Sequence, residues 1–170
     1  QLGVEYAQNF GITTLTDTDY NPATALGGLT KGVTNLELTA AYASIANGGV
    51  YTKPIFFTKI LDRNGKELIT MEPETHRVLK DSTAFLLTDA MAESMISNRK
   101  FSRSGSGPSS TSTRAKLPNM SCAGKSGTTT SNNDIWFVGF TPYYTAGVWG
   151  GCDMNQNLSS QNGGTSFHKD

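Results

Sequence analysis

An α+β fold, with an antiparallel sheet and flanking helices, follows from three features of the sequence. The first half carries two helix patterns separated by loops and a hairpin. The last third carries three strand-like runs joined by links too short for a parallel crossover. The regular βαβ alternation of a parallel sheet is absent.

Taken in order, residues 2–10 read as the end of a helix stopped by Gly11. A long loop follows, with Asn21-Pro22, Gly27-Gly28 and Lys31-Gly32, and leads to Thr34-Asn35-Leu36-Glu37, a capping box. The helix it opens, 36–46, is rich in alanine and stops at Asn47-Gly48-Gly49; so many alanines imply close packing on more than one face. Residues 55–61 and 66–70 are strand-like runs joined across Asp62-Arg63-Asn64-Gly65, a surface hairpin with a strong Asn-Gly turn signal. A second helix is expected from Asp81 or Ser82 to about Ser97, with Ala84, Leu87, Met91 and Met95 on its buried face and Ser82, Asp89 and Glu93 opposite. From 102 to 113 the chain is almost all Ser, Gly, Thr and Arg, the composition of a mobile loop. Strands are then expected over 121–129, 135–140 and 144–152, as an antiparallel meander with the first strand at the sheet edge, paired only with the Trp136 strand.

The chain has 170 residues, 36% of them hydrophobic, enough to bury the core of one domain. Fourteen basic residues cancel fourteen acidic ones, so no charge excess points to nucleic acid or a membrane surface. No run of ~18 apolar residues occurs, and the first residues do not read as a signal peptide. Both ends read as cut, so the chain is expected to be a piece of a longer protein. Cys122 and Cys152 lack partners at zinc-ligand spacing. On the first and third strands of a meander they stand about 10 Å apart, beyond the ~7 Å a disulfide allows, so free thiols, buried or half-buried, are expected.

Chemistry concentrates in Gly124-Lys125-Ser126-Gly127-Thr128-Thr129, which sets a lysine, two glycines and three hydroxyl residues on one strand. Strand period puts Lys125 on one face and Ser126 and Thr128 on the other, and Gly127 permits close approach of a ligand backbone. At a sheet edge such a strand can pair with an extended peptide while ammonium and hydroxyls receive a carboxylate. Two readings compete. Gly-Lys-Ser also ends a phosphate-binding P-loop, but that motif needs glycine where Asn119 stands. The plainer reading is an exposed polar strand with no ligand.

The surrounding blocks bear on that choice. Ala123-Gly124-Lys125-Ser126-Gly127-Thr128-Thr129 resembles the third, Lys-Thr-Gly motif of the class A penicillin-binding proteins, with serine for the usual threonine. The stretch from Asp134 to Pro142, then Val148-Trp149-Gly150 with Asp153, resembles the strands that follow it. Leu26-Gly27-Gly28, Leu36-Glu37-Leu38-Thr39-Ala40-Ala41-Tyr42-Ala43 and Asn47-Gly48-Gly49 resemble the part between the second and third motifs. The likeness spans nearly the whole chain in the right order, and implies the C-terminal portion of a transpeptidase domain of the penicillin-binding and serine β-lactamase fold.

The family's first two motifs do not stand where the resemblance needs them. Ser97-Asn98-Arg99-Lys100 and Ser166-Phe167-His168-Lys169 spell Ser-x-x-Lys, but in the family that motif precedes everything matched here. Ser131-Asn132-Asn133 spells the second motif after the third has passed. The nucleophilic serine, its lysine and the second motif are therefore expected upstream of Gln1.

By this resemblance, a serine attacks a D-alanyl-D-alanine stem peptide, D-alanine leaves, and the acyl group passes to an amine of a second stem peptide; β-lactams stop at the acyl-enzyme. Lys125 would hold positive potential and assist proton transfer or docking, Ser126 and Thr128 would bind the terminal carboxylate, and the Thr128 backbone N–H would be an oxyanion-hole donor. Gly127 and Thr129 complete the substrate-binding strand. The resemblance implies no metal and no organic cofactor, and implies stem peptide, β-lactams and the upstream segment as partners, at the extracytoplasmic face of a bacterial membrane. A catalytically inactive penicillin-binding sensor and a β-lactamase relative remain open alternatives. His76 and His168 stand near no nucleophile-like motif and read as surface histidines.

Overall fold

The computed structural model describes residues 2–96 and 110–158. Helix α1 (Leu2–Asn9) ends at Gly11, whose φ of 85° lets the chain turn back so that the Ile12 N–H reaches the Ala7 carbonyl. The next twenty residues have little apolar matter to fold around and are held by hydrogen bonds instead. Two short 3-10 turns, Asp17–Asp19 and Pro22–Leu26, gather about the buried Asp19 carboxylate. One of its oxygens accepts from the Thr16 N–H (2.7 Å) and hydroxyl; the other accepts from the Thr30 N–H (2.7 Å) and hydroxyl.

These donors, the Thr16 backbone N–H foremost and then that of Thr30, lower the Asp19 pKa from 3.8 to about 2. Because the folded carboxyl binds its proton less readily than the unfolded one, its contribution is present above pH 3.8 and lost as pH falls through about 2. The expected result is that amide-exchange protection at Thr16 and Thr30 falls between these limits. In Asp19→Asn the two amides should already be weakly protected at pH 5.

Helix α2 (Asn35–Ala46) begins in the expected capping box: the Glu37 N–H donates to the Thr34 hydroxyl, and Glu37 Oε2 accepts from Thr34 in return. Glu37 Oε1 also accepts from the N–H and hydroxyl of Thr13, so one carboxylate ties the loop to the helix start. Strands β1 (Val50–Thr52), β2 (Lys59–Leu61), β3 (Glu67–Thr70) and β4 (Thr75–Arg77) follow. β2 and β3 form the expected hairpin, closed by Asp62 Oδ1, which accepts from the N–H groups of Asn64 and Lys66. Residues 55–58 were expected in the first arm but lie outside it, because only Lys59–Leu61 finds a partner strand. The β1–β4 pair was not foreseen; Gly49 places it, with its carbonyl accepting from Val78 and Leu79.

Helix α3 spans Asp81–Glu93, shorter than the expected 81–97. Ala84, Met91 and Met95 are buried as expected, but Leu87 is 40% exposed and corrects the assigned face. Thr88 is the more covered of the two, so the contact stripe is rotated by one residue. Strands β5 (Ala123–Thr128), β6 (Asp134–Phe140) and β7 (Thr145–Gly151) form the expected antiparallel meander in the order β5-β6-β7. Both helices lie on one face of this sheet, α3 over β5 and α2 over β6 and β7. Ile45, Met91, Ala123 and Phe140 form the core between them, with Phe10, Tyr42, Leu79 and Ala92 around it.

α2 is packed on more than one face, as expected, against β1, β6, β7 and α3, whereas Phe85 and Leu86 of α3 are each about two-thirds exposed. The expected mobile loop, 102–113, falls largely outside the described residues. Its described end is placed, with Ser112 fully buried and a 3-10 turn at Thr113–Ala115.

Candidate active-site strand

Among the described residues β5 has a neighbour on one side only, and the phase of its hydrogen bonds tells which backbone groups remain open. The Thr129 N–H donates to the Asp134 carbonyl across the β5–β6 pair, so odd-numbered residues of β5 bond to β6. Gly124, Ser126 and Thr128 therefore turn their N–H and C=O groups to the free edge. The Gly124 carbonyl agrees with the phase: it lies 2.9 Å from the hydroxyl of Ser94, the residue capping α3, whose single proton it shares with the Met91 carbonyl at 2.8 Å. Beyond that anchor the edge carries Ser126 and Thr128.

Side chains alternate on the same strand. Ala123, Lys125 and Gly127 share the helix-covered face with Phe140, Val138 and Trp136, their cross-strand partners. Lys125 is exposed and curls to the open edge, where its Nζ donates to the Ser126 carbonyl at 2.5 Å. Ser126 and Thr128 point to the opposite face, half-buried and exposed respectively. The Ser126 hydroxyl donates to Thr111 Oγ1 at 3.1 Å. Thr129 begins the turn to β6, and its Oγ1 accepts from the N–H groups of Asn133 and Asp134.

The two glycines of the motif have different causes. A Cβ on Gly124 would stand 2.7 Å from Phe137 Cζ and 3.0 Å from the Val138 carbonyl, because the Phe137 ring lies over Gly124 and Gly139. A Cβ on Gly127 would meet only Trp136 Cβ, at an ordinary 3.5 Å. The fold requires glycine at 124 and not at 127. Gly124→Ala should therefore cost about 1–3 kcal/mol of stability, read by denaturant unfolding, as overpacking does elsewhere.

Other sequence candidates fall away from this edge. His76 sits on β4, its Nε2 2.8 Å from the Asn9 carbonyl and its ring against Tyr51. Ser131-Asn132-Asn133 is the β5–β6 turn, with Asn132 at a φ of 54° and Asn133 bonded to Asn155. Both Ser-x-x-Lys sequences, and His168, lie outside the described residues. Cys122 and Cys152 are free and half-buried, as expected; they flank β5 and β7 rather than lying within them. Among the described residues no cluster of His, Cys, Asp or Glu is arranged for a metal, and no helix is long and apolar enough to cross a membrane. Two surface cavities among the described residues, one beside Phe56 and one beside Cys122, do not include residues 125–129.

Sequence reasoning missed Ser94 and Thr111. Each acts through a contact spanning at least 15 residues. No local pattern marks either one.

Comparison with known proteins gives a consistent result. The family described as penicillin binding protein transpeptidase domain matches residues 6–167. Penicillin-binding protein 1A of Clostridium botulinum (strain Langeland) is 36% identical over 156 residues, which are 91% of this chain and 18% of that protein. Penicillin-binding protein 1A of Aquifex aeolicus is 34% identical over 165 residues, 97% of this chain and 20% of that protein. The chain thus spans about a fifth of the length of these relatives. Among solved structures, penicillin-binding protein 1A from Haemophilus influenzae superposes with a TM-score of 0.73 at 24% identity, over 97% of this chain and 28% of that one. PonA1 from Mycobacterium tuberculosis in complex with penicillin V gives 0.72 at 23% identity, over 96% of this chain and 44% of that one. The likeness is one of fold: helices packed on an antiparallel sheet.

Proposed function

Because this chain belongs to the penicillin-binding protein transpeptidase domain family, we propose that β5 is the substrate strand of a serine D,D-transpeptidase that cross-links peptidoglycan stem peptides. The open edge of β5 carries this reading. An extended D-alanyl-D-alanine peptide adds to it as a further antiparallel strand, bonding to the outward groups of Ser126 and Thr128. The hydroxyls of Ser126 and Thr128 donate to the terminal carboxylate, and the Lys125 ammonium supplies positive potential and a proton path. As the nucleophilic serine, contributed by an upstream segment, adds to the scissile carbonyl, the Thr128 N–H donates to the developing oxyanion; one such donor is worth about 3 kcal/mol of barrier in other acyl-transfer enzymes. D-Alanine leaves with a proton, and an amine of a second stem peptide takes the acyl group. β-Lactams enter as donor mimics and remain attached. The whole protein works at the extracytoplasmic face of the bacterial membrane, with its anchor outside this chain.

Gly127→Ala in the whole protein tests the reading. The folded chain has room for the methyl group. An exposed strand glycine replaced by alanine leaves the melting temperature unchanged or slightly raised. A docked peptide backbone has no such room, so acylation by a fluorescent penicillin should slow about tenfold or more. Unchanged acylation would mean that no ligand approaches the strand there.

A further inference from the structure

Thr111 lies in a stretch whose composition carries no motif, yet its Oγ1 accepts from the hydroxyl of Ser126. Thr111 is exposed, so a ligand on β5 can reach it. On either side, the hydroxyls of Ser110 and Ser112 are enclosed without a hydrogen-bond partner among the described residues, and Ser112 is fully buried. Buried hydroxyls are ordinarily paired, and those that are not call for a reason such as strain or a role in binding.

We propose that Thr111 is a further carboxylate-recognition residue, one that orients the Ser126 hydroxyl and presents its own hydroxyl proton to the terminal carboxylate of the donor. This rests on the reading of β5 as the substrate strand. A hydroxyl has one proton and two lone pairs. Thr111 Oγ1 spends a lone pair on Ser126, so its proton is left for an anion arriving beside Ser126. When a carboxylate comes, Ser126 can turn its own proton to it and accept the Thr111 proton instead, or keep donating to Thr111 while Thr111 donates to the carboxylate. Either arrangement makes the pair selective for an anionic acceptor over a neutral one.

The test is acylation of the whole protein, upstream half included, by benzylpenicillin and by its methyl ester. In Thr111→Val, acylation by the free acid should slow about 10- to 100-fold, the worth of a hydrogen bond to a charged group. Acylation by the ester should change less than about threefold, and Thr111→Ser should restore the acid rate to within about threefold. Thr111→Ala, which removes atoms and adds none, provides the same acid-to-ester ratio should the valine variant fold poorly. An equal loss on acid and ester, without rescue by serine, would assign Thr111 a structural role and overturn the proposal. If Thr111→Val acylates normally while Ser126→Ala does not, Thr111 falls and the substrate strand stands. Normal acylation in Thr111→Val, Ser126→Ala and Lys125→Ala together would remove the strand itself from the site.

Discussion

Lys125→Ala in the whole protein is expected to slow acylation by penicillin about 100-fold or more, while shifting the unfolding midpoint hardly at all. The two effects separate because of where the side chain lies. Lys125 is exposed, and the hydrogen bond of its Nζ is to the carbonyl of the next residue, so its loss opens no cavity and strands no buried charge. An exposed substitution of that kind stays within about 0.5 kcal/mol of the parent. The same ammonium lies at the open edge against the Ser126 carbonyl, where, on the proposed reading, a positive charge would act on the barrier and not on packing. Stopped-flow acylation with a chromogenic β-lactam, set beside denaturant unfolding, gives both numbers. Parent-like acylation would take Lys125 out of the site.

Loss of labelling should be complete for the 170-residue chain expressed alone. No serine of the described residues stands three positions before a lysine, and the two Ser-x-x-Lys sequences of the chain come at 97–100 and 166–169, whereas the family's first motif precedes the matched stretches. A fluorescent penicillin should form no adduct with the isolated chain. Co-expression with the upstream half should restore labelling, with the label on the other piece. The isolated chain should also be poorly soluble, since Phe85 and Leu86 lie bare on α3 and Val148 and Trp149 of β7 are each about two-fifths exposed. A stable adduct on Ser97 or Ser166 would overturn the assignment of the nucleophile to the upstream half.

What could be read from the sequence was what short-range chemistry dictates. Thr34 and Glu37 announce a helix start because cap and carboxylate sit three residues apart, and the meander is dictated by links that cannot span a crossover. The motif on β5 was legible for the same reason, since six adjacent residues hold all its side chains. Contacts made by folding were not legible. β1 and β4 are three residues each, too short for a periodic signal, and they meet across some twenty residues. The end of α3 and the turning out of Leu87 depend on what the helix lies against. Ser94 and Thr111 reach β5 from elements distant in sequence. The difference between Gly124 and Gly127 comes from the Phe137 ring on the neighbouring strand, which a reading of the motif alone does not see.

The bond from Ser94 to the Gly124 carbonyl sets a length as well as an anchor. It closes the strand edge at one end, the turn at Thr129 closes it at the other, and Lys125 already occupies the Ser126 carbonyl. Three backbone groups are left: the N–H of Ser126 and both groups of Thr128. At about 1 kcal/mol net for each, they sum to about 3 kcal/mol, short of the ~4 kcal/mol that corresponds to a millimolar dissociation constant. If β5 is the substrate strand proposed above, backbone pairing by itself would hold a finished peptide only briefly, so rapid release of cross-linked product is expected, with long residence reserved for what is covalently attached.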